Sequence, residues 1–206
     1  MTHLIKKLPA RFQLVFISIL LMAGCTISKD PMRKTARLLQ RGALKEDTSY
    51  IYSLPYAKGT SHLLIQGYFS GFSHKNRAAL DFKMKKGTPV YASRGGVVIR
   101  LEEQHSKGGR NKKYRKEANL VIIQHHDGTR AGYWHLQQNG VLVNIGDTVE
   151  QGQLIALSGK TGYTFLPHLH FIVWTNNNGS WQQVPTRFAT SAGIKYLRPF
   201  RRYYNN

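Results

Sequence analysis

The chain has 206 residues, and 30 lysines and arginines against 10 acidic residues give it a formal net charge of +20. Such a basic surface predicts an anionic neighbour, namely nucleic acid, acidic lipid or an acidic wall polymer, and charge alone does not choose between them. The single cysteine excludes a disulfide within the chain, and the length suits one domain with a tether.

The first two dozen residues have the pattern of an export signal. Lys6, Lys7 and Arg11 frame the start of the apolar run FQLVFISILLMAG, which has the length of a signal-peptide core and is short for a membrane span. The letters LMAGC resemble a lipobox, so residues 1–24 are predicted to be a lipoprotein signal peptide and Cys25 the lipidated residue. An ordinary signal peptide and an uncleaved membrane anchor are the alternatives. An export signal argues against a nucleic-acid partner, and no nucleic-acid motif is recognisable.

Residues 25–50 are predicted to form a tether between the lipid anchor and the folded domain. They mix charged residues with one short candidate helix around residues 35–41, and a packed N-terminal helix is the alternative. The domain itself is predicted to cover residues 51–206.

From residue 51 onward, short runs of Val, Ile, Leu, Tyr and Phe alternate with glycine-bearing turns. The stretch TPVYASRGGVVIRLEE predicts two strands around its RGG turn, and ANLVIIQHHDGTRAGYWHLQ predicts a hairpin that turns at DGT. Many short strands at close spacing predict an all-β fold, either an antiparallel β-sandwich or an open barrel-like sheet.

The stretch GYTFLPHLHFIVW places His168 and His170 one residue apart in a predicted strand. Alternate side chains of a strand point to the same side, so the two imidazoles face together while Leu169 and Phe171 face the opposite way. Two neutral imidazoles side by side suit a transition metal, most often zinc. A pair of half-exposed histidines near a strand end is the alternative.

Three further groups could complete such a site. His74 ends a glycine-containing loop, His135 ends a strand, and Asp81 lies in the apolar run ALDF, where a buried carboxylate is costly unless it is paired or bound to a metal. A zinc site with an open position needs three ligands of this type, and hydrolysis needs an added acid or base. His125 and His126 precede a hairpin turn, where we expect exposed polar residues.

The motifs SH, ALDF, GTPVYA, GGVV, NLVIIQHHDGT, YWHL, IGDTVEQGQLIALSGKTG and PHLHF follow one another between about residues 60 and 175. Their order resembles that of the LytM/lysostaphin family of zinc metallopeptidases, which cut peptide bonds in bacterial cell-wall peptidoglycan. The resemblance implies a zinc endopeptidase whose metal site lies in a groove of the sheet, with peptidoglycan as its partner.

Carried over by position, the resemblance implies that His74, Asp81 and His170 bind zinc and that His135 and His168 form the catalytic pair. His168 would accept a proton from water and pass it to the leaving amine, while His135 would orient the water or stabilise the oxyanion. One departure from the pattern is the spacing between His and Asp, which is seven here and four in many members.

Two more features have open interpretations. Tyr68 precedes His74 by six residues, where some members of the family have a tyrosine near the scissile carbonyl, and a packed aromatic is the alternative. The basic loop SKGGRNKKYRK, residues 106–116, is predicted to top a hairpin, line the groove and meet anionic polymer or lipid, and a solvated insertion is the alternative.

Some relatives in this family lose ligands and regulate other wall hydrolases, so a non-catalytic module is the alternative function. The intact set of five groups favours catalysis. The lipobox followed by Thr26 suits an outer-membrane lipoprotein that faces the periplasm of a Gram-negative cell. This location favours cross-links between stem peptides over glycine bridges as the substrate.

Overall fold

The computed structural model describes residues 28–206, so the predicted signal peptide and Cys25 lie outside the described residues. Helix α1 covers Met32–Arg41, and a 3₁₀ helix covers Lys112–Glu117. Gly42 ends α1 in the left-handed region at φ 72°, where its N–H reaches the last carbonyls of the helix. Neither helix has the length and apolar content that crossing a membrane requires, and this holds for the described residues only.

Strands account for most of the remaining regular structure, as the all-β prediction required. In chain order they are β1 (Ile51–Tyr52), β2 (Ser61–Gln66), β3 (Ala79–Lys83), β4 (Pro89–Tyr91), β5 (Gly96–Glu102), β6 (Gly108–Gly109), β7 (Leu120–Gln124), β8 (Arg130–Trp134), β9 (Leu136–Val141), β10 (Thr148–Val149), β11 (Leu154–Ser158), β12 (Gly162–Tyr163), β13 (His168–Asn177), β14 (Ser180–Gln183), β15 (Arg187–Thr190), β16 (Gly193–Tyr196) and β17 (Arg201–Tyr204). The all-β fold class is therefore confirmed.

One large antiparallel sheet organises the fold. Its strands run in the order β10-β5-β7-β8-β13-β3-β2-β17, and β14 pairs with the far half of β13. The strand β13 is ten residues long and lies between β8 and β3, so the HxH motif enters the sheet at its centre. The predicted DGT hairpin is present as the pair β7 and β8.

Two smaller three-stranded sheets, in the orders β4-β11-β9 and β1-β15-β16, and the pair β12-β6 accompany the large sheet. The core contains aromatic residues such as Phe82, Tyr133, Phe171 and Phe188, each no more than 1% exposed. Two short pairs are parallel, β1 with β15 and β6 with β12, against the antiparallel expectation. The strands on either side of RGG are present but do not pair with each other, because β4 joins a smaller sheet and β5 the large one.

The segment that precedes β1 packs on the domain. Ala36 of α1 is 2% exposed, and the side-chain amide of Gln40 donates to the carbonyl of Leu197. The guanidinium of Arg187 donates to backbone carbonyls between residues 46 and 49. The alternative of a packed N-terminal helix therefore describes residues 32–41, whereas the domain boundary at residue 51 stays a prediction.

Candidate metal centre

Asp81 lies at the centre of a cluster of histidines on one face of the large sheet. The register of β3 and β13 pairs Asp81 with His170, and directly paired residues share a face of a sheet. His168 lies two residues before His170, so it points to the same face. Leu169 and Phe171 alternate to the opposite face, where they are 0% and 1% exposed. The predicted alternation along the HxH strand is confirmed, and both of its faces are buried.

His74 reaches the same carboxylate from the loop between β2 and β3. Its Nδ1 donates to the carbonyl of Gly67 at 3.1 Å, which in the neutral ring leaves the lone pair on Nε2. This Nε2 atom lies 3.2 Å from Asp81 Oδ2, yet it is buried and makes no hydrogen bond to any described residue. A lone pair that faces a carboxylate oxygen in a buried position leaves room for a cation between them.

The third member of this group is His170, whose Nδ1 lies 2.7 Å from Asp81 Oδ1. One donor atom each from His74, Asp81 and His170 can be chosen so that all lie within 4.8 Å of one another. All three side chains are buried, at 1%, 6% and 7% exposure respectively. Two imidazoles and a carboxylate at this separation form a donor set that suits zinc.

His135 and His168 form the other side of the cluster. Their ring centroids are 4.8 Å apart, and together with His170 they again bring donor atoms within 4.8 Å of one another. His135 Nδ1 donates to the carbonyl of Thr161 at 2.7 Å, and His168 Nδ1 donates to the carbonyl of Leu166 at 2.8 Å. These bonds fix the tautomer, so both rings have the Nε2 lone pair available to accept a proton or bind a metal.

The backbone at His135 is unusual, with φ at +66°. A residue other than glycine rarely adopts this left-handed conformation without surrounding contacts that hold it there. The bond to the carbonyl of Thr161 is such a contact, and Thr161 is held in turn because its hydroxyl donates to the carbonyl of Leu136 at 2.7 Å. The strained turn directs the imidazole of His135 toward His168.

Electrostatics within the cluster favour the protonation states that metal binding needs. Burial alone would raise the pKa of Asp81, but its interactions with His74, His168 and His170 hold it well below its usual range. Burial lowers the pKa of His135 to about 3 and that of His170 to about 4, with neighbouring histidines adding to the shift at both. At neutral pH the carboxylate is ionised and these two imidazoles are neutral, which is the form that coordinates a metal.

Several residues that support the site escaped the sequence analysis. Gln66 pairs with Asp81 across β2 and β3, and its amide donates to Asp81 Oδ2 at 3.2 Å and to Ser73 Oγ at 2.6 Å. Trp134 packs edge-on against His170 at 5.8 Å and against Trp174 at 5.2 Å. Gln66 is the last residue of β2 and carries no motif, while the alternation of β13 could have placed Trp174 on the face of the two histidines.

Tyr68 does not join the cluster through its hydrogen bonds. Its hydroxyl donates to the carbonyl of Thr186 at 2.7 Å and accepts from the backbone N–H of the same residue at 3.2 Å. The side chain is 7% exposed, and burial raises its pKa above the usual range. These contacts describe the packed aromatic that was the alternative, and a hydroxyl placed at the scissile carbonyl stays a prediction.

The expectation that His125 is exposed is wrong, since this residue is 2% exposed. Its Nδ1 donates to the carbonyl of Gly95 at 2.8 Å, and its ring contacts Tyr52 edge-on at 5.8 Å. A histidine that precedes a turn can fold back against the sheet when its ring finds a backbone acceptor there. His126 is exposed as expected.

The basic loop joins β5 and β7, which pair as the predicted hairpin. The guanidinium of Arg110 stacks 3.4 Å above the ring centroid of Phe165, and the carbonyl of Gly109 accepts from the N–H of Thr164. These contacts hold the loop beside the segment that leads into His168. They place two loop residues next to the candidate site and leave the loop's partner a prediction.

Comparison with known proteins adds a family to this geometry. The sequence model of peptidase family M23 matches residues 75–182, just over half of the chain. This range includes Asp81, His135, His168 and His170. The glycyl-glycine endopeptidase ALE-1 of Staphylococcus capitis is 32% identical over 158 residues, which are 76% of this chain and 40% of that protein.

Two further likenesses are narrower. The peptidoglycan DD-endopeptidase ShyA of Vibrio cholerae is 43% identical over 91 residues, which are 44% of this chain and 18% of that protein. The solved catalytic domain of lysostaphin from Staphylococcus simulans is 30% identical, with a TM-score of 0.40, and the match covers 66% of this chain and 86% of that domain. The chain thus spans less than half the length of both curated relatives. The matched residues nevertheless cover more than half of this chain, and the chain belongs to peptidase family M23.

Proposed function

We propose that this chain is a zinc-dependent endopeptidase that hydrolyses peptide bonds of bacterial peptidoglycan. The observation that carries the proposal is the convergence of five groups on one face of the sheet, with the buried Nε2 of His74 lacking any hydrogen bond beside the Asp81 carboxylate. Zinc is the cofactor of family M23, and His74, Asp81 and His170 are the residues that would hold it. Zinc, when bound, supplies a Lewis acid that acidifies water and polarises a carbonyl.

The remaining histidines supply proton transfer. His168 accepts the proton of the attacking water on Nε2, because its Nδ1 proton is committed to the carbonyl of Leu166. The same atom then delivers this proton to the leaving amine. His135 has the same arrangement through Thr161, so its Nε2 lone pair accepts a hydrogen bond from the water and orients it. Stabilising the oxygen that becomes negatively charged would require this Nε2 to take up a proton first. Carboxylate Asp81 stays ionised throughout and keeps the histidines around it in place.

Two finer points complete the proposal. The bond cut is a cross-link between stem peptides, a choice supported by the export signal and by the name of ShyA, whereas the name of ALE-1 specifies a glycine bridge. The protein is anchored by a lipid on Cys25 and acts in the cell envelope, at the outer membrane on the periplasmic side. The lipobox LMAGC and the apolar run before it support this location.

The test is release of soluble fragments from purified peptidoglycan sacculi, with and without a chelator, followed by mass analysis of the products. We expect chelator-sensitive release, and the product masses name the bond. In the variant His168→Ala, zinc content should stay at one per chain while release falls by about 10²–10⁴-fold, the usual effect of losing a general base.

The matched control is His126→Ala, which removes an exposed histidine and should leave both readouts unchanged. Full release by His168→Ala would remove this residue from the mechanism. Bound zinc without release from wild-type protein would instead identify a non-catalytic module that regulates other hydrolases.

A further inference from the structure

A cavity of about 580 Å³ lies between α1, the loop that follows β2 and the segment that leads into β17. We call it the arginine pocket. Its charged lining residues are Arg33, Arg37, Arg41, Arg198 and Arg201. None of the described residues that line it is acidic, and none of these five arginines forms an ion pair with a carboxylate anywhere in residues 28–206.

The positive charges are held together by the fold. Arg33, Arg37 and Arg41 are spaced by four on α1, so they share one face of the helix, where like charges repel. Burial lowers the pKa of Arg37, and the two neighbouring arginines lower it further. From the opposite side, Arg198 donates through Nε to the carbonyl of Gln40, which fixes the end of the helix and leaves its other guanidinium nitrogens without a bond to any described residue.

An unpartnered hydroxyl lines the same cavity. Ser70 Oγ is buried and has no hydrogen-bond partner among the described residues. A buried hydroxyl without a partner is costly, so this hydroxyl would gain a hydrogen bond by donating to an acceptor bound in the cavity. Guanidinium groups bind phosphate oxygens in pairs, and a serine hydroxyl can donate to a third oxygen.

The surroundings of the pocket indicate where such a phosphate comes from. Phe72 follows the lining residue Gly71 and is 75% exposed, and Phe200 lies between two lining residues and is 80% exposed. Exposed aromatic side chains next to basic residues are typical of surfaces that enter the headgroup region of a membrane. Ser28, which also lines the pocket, is only three residues from Cys25 along the chain, a span of about 11 Å at most.

We propose that the arginine pocket binds the phosphate of an anionic lipid headgroup and that Phe72 and Phe200 contact the lipid beside it. The pocket would thus fix the orientation of the domain on the membrane in which its N-terminus is anchored. This binding site goes beyond the proposed peptide hydrolysis and does not depend on it, but it rests on the proposed lipid anchor at Cys25. Its geometry involves no member of the histidine cluster.

The experiment uses the full chain inserted through its N-terminus into vesicles of phosphatidylcholine, with or without a quarter of phosphatidylglycerol. Hydrogen exchange is followed by mass spectrometry in α1 and in residues 67–72. A third arm adds inorganic phosphate to the phosphatidylcholine vesicles. We expect exchange in both segments to slow by roughly tenfold only when phosphatidylglycerol is present, since each arginine near an anionic surface contributes to binding.

The charge-removing variant Arg33→Gln/Arg37→Gln/Arg41→Gln should lose this protection, and Ser70→Ala should lose part of it. The matched control Lys112→Gln/Lys113→Gln removes exposed charges of the basic loop and should keep the protection. Equal protection on vesicles without phosphatidylglycerol, or an unchanged triple variant, would overturn the proposal. Protection by inorganic phosphate alone would replace the lipid with a free anion. Release of sacculus fragments in detergent is measured separately and should be unchanged in these variants.

Discussion

The histidine cluster and the arginine pocket are both concentrations of ionisable groups, but they satisfy their charges in opposite ways. In the cluster, one carboxylate lies within 3.6 Å of nitrogens from three histidines, and backbone carbonyls fix the outer nitrogens of three of the rings. In the pocket, five arginines converge and no carboxylate is among the described residues that line it. The first region is organised before a ligand arrives, whereas the second depends on a ligand or solvent for its counter-charge.

The largest expected effect comes from removing the counter-charge of the cluster. Asp81→Asn keeps the size of the side chain but takes away the negative charge that His74, His168 and His170 face. We expect zinc content to fall from one per chain to near zero. Fragment release should drop by more than the roughly 10²–10⁴-fold expected for loss of a general base alone.

Metal analysis after gel filtration, together with the sacculus assay, measures both quantities for Asp81→Asn. The exposed Asp147→Asn is the control for an isosteric loss of charge and should behave as wild type. If Asp81→Asn retained zinc and full activity, the carboxylate would not be a ligand.

His125, a buried histidine outside the cluster, tests how burial changes a histidine pKa when no carboxylate is bonded to the ring. Burial lowers the pKa of His125 to about 4 from an ordinary value of 6.5, so the unfolded chain takes up a proton in this window and the folded chain does not. The contribution of His125 to the free energy of unfolding should therefore be fully present above pH 6.5 and fall by on the order of 3 kcal/mol as the pH drops to about 4.

The contribution of His125 is isolated by denaturant titrations of wild type and His125→Gln across this pH range. The variant should lose that part of the slope, while the exposed neighbour variant His126→Gln should keep it. Identical slopes for wild type and His125→Gln would show that His125 titrates normally in the folded chain.

Tyr68 lies in the loop that lines the arginine pocket and also carries His74. A substitution of Tyr68 therefore tests whether this tyrosine contributes to stability or to the histidine cluster. In Tyr68→Phe, the backbone N–H and carbonyl of Thr186 lose their partner, which should cost about 1–3 kcal/mol of unfolding free energy. Zinc content and fragment release should stay close to wild type.

Thermal unfolding and the sacculus assay are the measurements for Tyr68→Phe, with the exposed Tyr204→Phe as control. A hundredfold slower release at unchanged stability would return Tyr68 to the catalytic role that the resemblance implied.

The smallest effect should come from giving the pocket an internal counter-charge. Arg37→Glu places a carboxylate four residues from both Arg33 and Arg41, and each new pair should stabilise the helix by about 0.3–0.5 kcal/mol. We therefore expect a small rise in melting temperature with a loss of the protection by phosphatidylglycerol.

Comparison with Arg37→Gln separates the attraction between the new glutamate and the two arginines from the relief of repulsion among the three arginines. Glutamine removes the positive charge without adding a negative one. A melting temperature of Arg37→Glu below that of Arg37→Gln would mean that α1 is not limited by like-charge repulsion.

The sequence predicts the cluster well because its members carry local signals. The HxH spacing fixes a shared face by strand alternation alone, and the apolar neighbours of Asp81 mark a buried carboxylate. What spacing cannot give is the register that pairs Asp81 with His170, which depends on two strands separated by 89 residues. The resemblance to a known family supplied that long-range information.

The arginine pocket shows the opposite case. The three arginines of α1 are spaced by four in the sequence, but this pattern alone predicts only a solvated face of a helix in a tether. Tertiary contacts bring Arg198 and Arg201 to the same cavity, namely those of Gln40 with residues 197–198 and the pairing of β17 with β2. The burial of His125 was missed for the same reason, since its acceptor, the carbonyl of Gly95, lies on a different strand connection.

The position of the final strand has a consequence for how the protein is made. β17 is the last strand of the described residues, and it pairs with β2, whose partner residues lie about 140 positions earlier. A ribosome or an export channel releases the chain from its N-terminus, so the edge of β2 stays open until residues 201–204 emerge. The sheet can be completed only after these residues have left the channel, and its folding should therefore be slow and dominated by long-range pairing.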